Sequence, residues 1–183
     1  MSEALPSNPD APRAATLVRP ANEADMAAVR DIYAHYVLHS LATFEETQPT
    51  LDEMLVRRRA SVDLSLPYLV AEARGEILGF AYAAPYRARP AYRFTVEDSV
   101  YVADGLAGRG IGSALLGELI ARCEGGPWRQ MIAVVGDSAN SGSIALHRRF
   151  GFELVGTLRS VGVKFGRWVD TPILQRALGA AGR

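Results

Sequence analysis

Residues 95–113 read TVEDSVYVADGLAGRGIGS, and this stretch decides how the surrounding chain folds. An apolar strand that carries Glu97 and Asp98 leads into a glycine-rich loop, and an amphipathic helix follows. Glycines in the loop let the backbone approach a ligand closely, and the free N–H groups at a helix N-terminus attract anions such as a pyrophosphate. The helix is predicted because apolar residues recur at spacings of three to five along one face. They are Ile111, Leu115, Leu116, Leu119, Ile120 and Cys123.

Helix caps and apolar runs predict the elements on either side of this stretch. Asn22 is a predicted N-cap, and Thr50 with Glu53 forms a capping box. The predicted helices cover about 22–38, 50–59 and 141–150, and the predicted strands cover 15–19, 68–73, 77–84, 94–102, 131–135 and the segment from 152 to about 174. The first helix should bury Met26, Val29, Ile32, Tyr33 and Tyr36. We therefore expect an α+β fold, with a mixed, mostly antiparallel, twisted sheet flanked by helices.

The length of 183 residues suits a single domain. Residues 1–14 mix proline, asparagine and acidic residues without an apolar run, which predicts a disordered tail and no signal peptide. The sequence therefore predicts one domain at 15–176, with a second short tail at 177–183.

The overall charge excludes several classes of partner. Lysine and arginine together number 20, as do aspartate and glutamate, so no global field recruits nucleic acid or an anionic membrane. Cys123 is the one cysteine, which excludes an internal disulfide and favours a buried core thiol. His35 and His39 lie one helical turn apart without a recognisable acidic third ligand, so no metal site is predicted. We expect a cytoplasmic protein that acts on a small soluble molecule.

Several separated motifs together resemble the GNAT superfamily of acetyl-CoA-dependent N-acetyltransferases. They are the strand and the Gly-Arg-Gly-Ile-Gly loop of 108–112, followed by Asn140-x-x-Ser143-x-x-x-His147-x-x-x-Gly151-Phe152. The blocks at 86–92, 95–102 and 165–170 resemble, more narrowly, the phosphinothricin and methionine sulfoximine N-acetyltransferases. The resemblance covers about 15–174 and implies a sheet that splays open to form a cleft for acetyl-CoA.

This resemblance implies which residues bind acetyl-CoA. The pantetheine arm would pair with the strand backbone at Val100, Tyr101 and Val102, and Asn140 would hydrogen-bond the same arm. The pyrophosphate would meet the loop amides of Gly108, Arg109, Gly110, Ile111, Gly112 and Ser113. Ala107 departs from the family motif, which usually has glutamine or arginine there, and Arg109 is a nearby replacement for the missing charge. Asn140 also fits an ordinary N-cap, and both roles are compatible.

Glu97 is the first candidate for catalysis. An amine attacks a thioester only as the free base, and a carboxylate in a partly desolvated cleft can take the ammonium proton. The residues alone leave open a second interpretation, in which an arginine such as Arg93 holds Glu97 in a structural role. The resemblance favours the catalytic one. Asp98 should point to the opposite face of the strand and serve the structure.

His147 is the second catalytic candidate. The resemblance implies that it lies where many GNAT enzymes carry a tyrosine that protonates the leaving thiolate. Its ordinary pKa of about 6.5 suits proton exchange near neutral pH. A packed or surface histidine remains the alternative, although Asn140, Ser143 and His147 share one helical face by their spacing.

Arg87, Arg89 and Tyr92 are the candidates for substrate binding. Arg87 and Arg89 lie two residues apart, so in an extended chain they would face the same way and could clamp an anion together. Solvated loop arginines are the alternative. Phe44, in the loop after the first predicted helix, is a further candidate for the same pocket.

The expected reaction is acetyl transfer from acetyl-CoA, as co-substrate and without a metal, to the α-amine of a small amino-acid-like substrate such as phosphinothricin or methionine sulfoximine. Two alternatives stay open. One is acetylation of another amine, such as a polyamine, an aminoglycoside or a protein N-terminus, although Arg87 and Arg89 disfavour cations. The other is a non-catalytic acyl-CoA-binding module. The resemblance also implies a homodimer, for which the C-terminal strands are a possible contact.

Overall fold

The apolar runs of the sequence form one seven-stranded sheet with helices on both faces in the computed structural model, which describes residues 16–179. The strands are β1 (Leu17–Pro20), β2 (Tyr68–Ala73), β3 (Glu76–Pro85), β4 (Thr95–Val102), β5 (Gln130–Val134), β6 (Glu153–Lys164) and β7 (Arg167–Ala177). The helices are α1 (Met26–His39), α2 (Leu51–Asp63), α3 (Ile111–Glu124) and α4 (Ser141–Arg149), with short 3-10 turns at Glu23–Asp25 and Pro90–Tyr92. The predicted tail at 1–14, and Ala15 of the predicted first strand, lie outside the described residues.

The strand order is β1-β2-β3-β4-β5-β7-β6. Strands β4 and β5 run parallel, and all the other neighbouring pairs are antiparallel. Because a parallel pair needs a crossover connection, the glycine loop and α3 lie between β4 and β5 in the chain. The predicted α+β fold with a mixed, mostly antiparallel sheet is confirmed.

The predicted N-cap Asn22 and the predicted capping box of Thr50 and Glu53 are both present, and Asn22 forms a second capping box with Asp25. The side chain of Asn22 accepts from the Ala24 N–H while that of Asp25 accepts from the Asn22 N–H, and Thr50 and Glu53 exchange the equivalent bonds at the start of α2. These bonds satisfy N–H groups that a helix leaves without partners at its first turn.

The sheet separates two hydrophobic clusters. The first cluster packs one face of the sheet against α3, whose buried residues match the predicted stripe from Ile111 to Cys123. The second packs the other face against α1 and α2, through residues such as Met26, Tyr33 and Phe80. Helix α4 lies on the α3 side, where Ile144 and Leu146 pack against the first cluster. Side chains along β4 therefore alternate between an α3/α4 face and an α1/α2 face.

The ladder between β4 and β5 is short, and this opens the sheet. It runs from Thr95↔Gln130 to Asp98↔Ala133, whereas β4 continues to Val102 alongside β3. Beyond the ladder the two strands part, with the N-termini of α3 and α4 following them. The fold thus creates a cleft between β4 and β5 on the side where both strands end.

Lys164 ties the far end of the sheet to the α1–α2 connection. Its side chain is buried, and its Nζ donates to the backbone carbonyls of Ser40 and Thr43 at 2.7 Å each and of Tyr36 at 3.4 Å. A cation near a helix C-terminus also interacts favourably with the helix dipole. The contact fixes the loop after α1 against the β6–β7 hairpin.

The domain ends slightly later than the sequence predicts. Strand β7 continues through Ala177, and Leu178 is buried and donates its N–H to the Arg129 carbonyl. The predicted tail at 177–183 therefore begins inside the packed structure, and residues 180–183 lie outside the described part. Within residues 16–179, no helix combines the length and the apolar character that crossing a membrane requires.

Candidate active site

The backbone of β4 presents free hydrogen-bonding groups to the cleft. The Tyr86 N–H donates to Thr95 and the Ala103 N–H to Leu78, so the odd-numbered residues of β4 pair with β3. The backbone N–H and C=O groups of the even-numbered residues then point towards β5. Beyond the end of the β4–β5 ladder, these residues are Val100 and Val102. Tyr101 was predicted as a third backbone partner of the pantetheine arm, but this alternation directs its N–H and C=O to β3.

Tyr36 already covers part of this backbone. Its hydroxyl donates to the Val102 carbonyl at 2.7 Å and accepts from the Val102 N–H at 3.4 Å. Burial raises the pKa of Tyr36, although the bond to Val102 opposes this shift. The Val100 N–H and C=O are therefore the groups of β4 left open where the strands part.

A cavity of about 560 Å³ fills the cleft between β4, β5, α3 and α4. Its wall includes nine of the ten residues predicted to bind acetyl-CoA, all except Arg109. Gly110 is the N-cap of α3 with a φ of 86°, a conformation that favours glycine, and no atom would contact a Cβ there. A long groove with an anion-binding helix N-terminus at one end and free strand groups at the other fits the shape and charge of acetyl-CoA.

Asn140, Ser143 and His147 all lie on the α4 side of this cavity. The Asn140 side chain accepts from the Ser143 N–H at 3.1 Å, so Asn140 is the N-cap of α4. Histidine 147 is buried, and its Nδ1 lies 2.7 Å from the Ser143 carbonyl, one turn earlier.

Asp98 contacts the other side of the histidine ring. The His147 Nε2 lies 2.9 Å from Asp98 Oδ2, and both side chains are almost fully buried. Burial alone lowers the pKa of His147, but the hydrogen bond and the charge of Asp98 outweigh it and raise the pKa above its ordinary value. Asp98 was predicted to point away from Glu97 with a structural role; the structure confirms its orientation and places it against a predicted catalytic residue.

Glu97 lies on the opposite, α1/α2 face of β4. Its pKa is raised, first by burial and then by the neighbouring charge of Asp98, while the charge of Arg87 opposes the shift. The alternative in which Arg93 holds Glu97 does not match the structure, because the Arg93 guanidinium stacks on Phe94 and donates to the Pro90 carbonyl. Glu97 and His147 therefore lie on opposite faces of β4 and do not contact each other.

The predicted substrate-binding residues lie on an exposed loop between β3 and β4. The Arg87 guanidinium lies 5.0 Å from the centre of the Tyr86 ring, which packs edge-on against Tyr92 at 5.7 Å. Arg89 is the N-cap of the short 3-10 turn at Pro90–Tyr92. The segment bends instead of running as a strand, so the argument that alternation makes Arg87 and Arg89 face the same way does not apply. The charge of Arg87 acts on Glu97.

Phe44, the further candidate for the substrate pocket, packs against β6 and is partly exposed. A Cβ on Gly162 of β6 would lie 2.4 Å from the Phe44 ring, so the absence of a side chain at Gly162 makes room for it. Among the described residues, no group of three or more His, Cys, Asp or Glu could hold a metal ion. His35 instead lies near Asp104, with its Nε2 3.7 Å from Oδ1.

Sequence reasoning missed Tyr36 and Asp98 as residues of the cavity wall. Tyr36 was predicted on the buried face of α1, and only the β4 backbone position shows what its hydroxyl contacts. Asp98 offered a usable signal: a carboxylate on the covered face of an apolar strand needs a polar partner, because an unpaired buried charge is costly. Its partner could be identified only after the topology brought α4 beneath β4.

The cleft fits acetyl-CoA, and comparison with known proteins agrees with this interpretation. Residues 18–173 match the family model described as an acetyltransferase (GNAT) domain. The chain is 53% identical to phosphinothricin N-acetyltransferase of Alcaligenes faecalis, over 98% of this chain and 95% of that protein. It is 38% identical to an L-methionine sulfoximine/L-methionine sulfone acetyltransferase of Salmonella typhimurium, over 88% of this chain and 94% of the relative.

A solved structure gives the same result at the level of the fold. The GNAT superfamily phosphinothricin acetyltransferase of Sinorhizobium meliloti, crystallised with acetyl-CoA, superposes with a TM-score of 0.87 and 48% identity. The match covers 90% of this chain and 89% of that one.

Proposed function

The chain belongs to the GNAT superfamily of acetyl-CoA-dependent N-acetyltransferases, and from this premise we propose that it acetylates the α-amine of a small amino-acid-like substrate. Phosphinothricin and methionine sulfoximine are the first candidates, because relatives at 53% and 38% identity are named for them. The observation that carries the proposal is Glu97, a half-buried carboxylate with a raised pKa, next to the point where β4 and β5 part.

Glu97 is the proposed base. An ammonium group must lose a proton before its nitrogen can attack, and a carboxylate whose pKa lies closer to neutral takes that proton more readily. Because Glu97 lies on the α1/α2 face, we propose that the amine approaches from that face, while the acyl donor lies in the cavity beside β4. Acetyl-CoA supplies the acyl group, and we propose that the Val100 N–H stabilises the negative charge that develops on its carbonyl oxygen.

Arg87 is the proposed partner of the acidic groups of the substrate. It is exposed on the loop that precedes β4, and its charge reaches Glu97. Guanidinium groups bind carboxylates and phosphinates in a bidentate manner, and a positive rim disfavours polyamines and aminoglycosides. Arg89 and Tyr92, on the same loop, would complete the pocket.

The test is a thiol-release assay with acetyl-CoA and a panel of amines. The panel contains phosphinothricin, methionine sulfoximine, methionine sulfone, ordinary amino acids, spermidine, an aminoglycoside and a peptide with a free N-terminus. We expect turnover with the amino-acid-like inhibitors and little with the cationic amines. Turnover confined to cations would overturn the proposed pocket, and acetyl-CoA binding without turnover on any amine would favour a non-catalytic acyl-CoA-binding module.

We also propose that the protein acts as a homodimer in the cytoplasm. Strand β6 is twelve residues long, forms an edge of the sheet and is exposed along most of its length. Large apolar side chains on it are exposed, which is costly for a monomer. They are Leu154, Val155, Leu158, Val161 and Val163. A second copy of this chain would cover them symmetrically, and light scattering after size exclusion would measure the resulting mass.

The proposed location in the cytoplasm agrees with the single cysteine, Cys123, which is free and buried. Free thiols are typical of reducing compartments.

A further inference from the structure

Asp98 and His147 form a buried polar pair in the wall of the cavity. Their side chains are 1% and 6% exposed. The Phe152 ring packs edge-on against the imidazole at 5.1 Å, and the second oxygen of the carboxylate, Asp98 Oδ1, has no hydrogen-bond partner within residues 16–179. A buried pair with so little solvation must satisfy its protons internally.

Counting hydrogen-bond donors indicates that the pair holds one proton more than a neutral imidazole and an ionised carboxylate would. The Ser143 carbonyl, 2.7 Å from Nδ1, can only accept, so Nδ1 carries a hydrogen. A neutral imidazole has no second N–H, and an ionised carboxylate can only accept. The bond of 2.9 Å between Nε2 and Asp98 Oδ2 therefore needs a further proton, on either atom. In both arrangements the pair is neutral overall and shares that proton.

Neither ring nitrogen of His147 is free to reach the cavity directly. The hydroxyl of Ser143 is the polar group beside the ring, with its Oγ 3.4 Å from Nδ1. Asp98, Ser143 and His147 all belong to the cavity wall. The N-cap bond from Asn140 fixes the backbone of Ser143 at the first turn of α4. A carboxylate, an imidazole and a hydroxyl are thus arranged in order, with the hydroxyl at the end nearest the N-terminus of α4.

We propose that Asp98, His147 and Ser143 form one proton path that protonates the leaving thiolate. The inference rests on the proposed acetyl transfer. As the carbon–sulfur bond of the thioester breaks, its electron pair stays on sulfur, and the sulfur takes the hydroxyl proton of Ser143. Ser143 Oγ then takes the Nδ1 proton, while the shared proton stays on Nε2 and is donated to the ionised carboxylate of Asp98. The pair is left with one negative charge and recovers a proton from water, as Glu97 separately releases the proton that it took from the amine.

The groups around the pair do not compete for this proton. Cys123 of α3 faces Asp98, and burial first, then the charge of Asp98, raises the pKa of its thiol to about 12. Glu97 interacts with Asp98 but lies on the other face of β4. Residues 130–134 of β5 carry no ionisable side chain, and Arg148 and Arg149 at the end of α4 are exposed. In this path Ser143 is the group that touches the substrate, and Asp98 is a positioning residue.

Nuclear magnetic resonance of the wild-type protein tests the shared proton without any activity measurement. The proton between Nε2 and Oδ2 should give a far-downfield signal that persists from about pH 6 to pH 8, well past the ordinary histidine pKa of about 6.5. The signal is assigned by its loss in His147→Gln. A His147 ring without a proton on Nδ1 or without this shared proton at pH 7 would overturn the proposal.

Kinetics of two conservative variants test the path. In Asp98→Asn the amide can still donate to Nε2, but the extra proton is gone, and Ser143→Ala removes only the hydroxyl. We expect kcat to fall about a hundredfold in both, with the KM for acetyl-CoA changed less than about twofold. Ser141→Ala, the exposed serine at the start of α4, is the matched control and should keep wild-type kinetics.

Other outcomes have distinct meanings. Wild-type kcat in Ser143→Ala would overturn the path even if the downfield proton is present. A protein mass raised by one acetyl group after mixing with acetyl-CoA alone, absent from Ser143→Ala, would also overturn it, because the hydroxyl would then be a nucleophile. If Asp98→Asn fails to fold, the wild-type spectrum and Ser143→Ala still decide. If the wild-type enzyme is inactive on every amine of the panel, the proposed function is contradicted. The magnetic resonance spectrum would still test the shared proton in that case.

Discussion

Two adjacent carboxylates, Glu97 and Asp98, have different environments because a strand sends successive side chains to opposite faces. Glu97 is half-buried on the α1/α2 face, without an ion-pair partner within 4 Å in the described residues, so burial raises its pKa. Asp98 is buried on the α3/α4 face and bonds to His147. We infer that one strand provides a proton acceptor for the amine on one face and support for a proton donor on the other. Paired groups with different environments are how enzymes separate base from acid.

Replacing Glu97 by glutamine should lower activity and raise stability. Loss of a general base is expected to lower kcat by about a hundredfold or more, while the KM for acetyl-CoA stays close to wild type. The folded-state pKa of Glu97 is raised, so its contribution to stability is complete below the unfolded pKa and is lost as pH rises through the folded pKa. Urea unfolding should therefore show Glu97→Gln to be more stable than wild type at pH 7.5, with the difference vanishing in acid.

Glu76→Gln is a suitable control, since Glu76 is exposed at the first position of β3. It should leave kcat unchanged. Equal losses of kcat and of acetyl-CoA affinity in Glu97→Gln, together with lower stability at pH 7.5, would show that Glu97 serves the structure and not the proton transfer.

At the scale of elements, the N-terminus of α3 is the part of the cleft that physical principles predict best. Gly105 and Gly110 belong to the same loop, both have positive φ, at 72° and 86°, and a Cβ on either would contact nothing within 4 Å. Only Gly110 lies in the cavity wall. Alanine at either position should cost about 1 to 2 kcal/mol through left-handed backbone strain.

Comparing alanine variants of these two glycines therefore separates the effect of backbone strain on stability from the effect on acetyl-CoA binding. We expect Gly110→Ala and Gly105→Ala to lower the free energy of unfolding by similar amounts in urea. Only Gly110→Ala should also raise the KM for acetyl-CoA severalfold, because it changes the backbone amides aimed at the pyrophosphate. A similar rise in KM for both variants, or for neither, would contradict the assignment of the anion site to the start of α3.

At the scale of the whole molecule, periodicity and caps predict the helices and strands, because each depends on residues close in sequence. The family motifs likewise identify the cleft. Contacts between distant segments are harder to predict: Lys164 lies on an otherwise exposed strand, yet its ammonium group caps the end of α1. The Asp98–His147 pair depends in the same way on where α4 packs. The bend that contradicts the Arg87 and Arg89 alternation argument comes from a loop, where no periodicity applies.

The edge of the sheet carries the last prediction, which concerns assembly. Val155 on β6 is 63% exposed and Val56 on α2 is 67% exposed, so the two valines are nearly equal in exposure but lie on different surfaces. If β6 pairs with a second copy, lysine at 155 places like charges at a symmetric interface, since each substitution occurs twice. Light scattering after size exclusion should give a dimer mass for wild type and Val56→Lys and a smaller mass for Val155→Lys. A monomer in all three, or an unchanged dimer in Val155→Lys, would show that copies of the chain do not meet through β6.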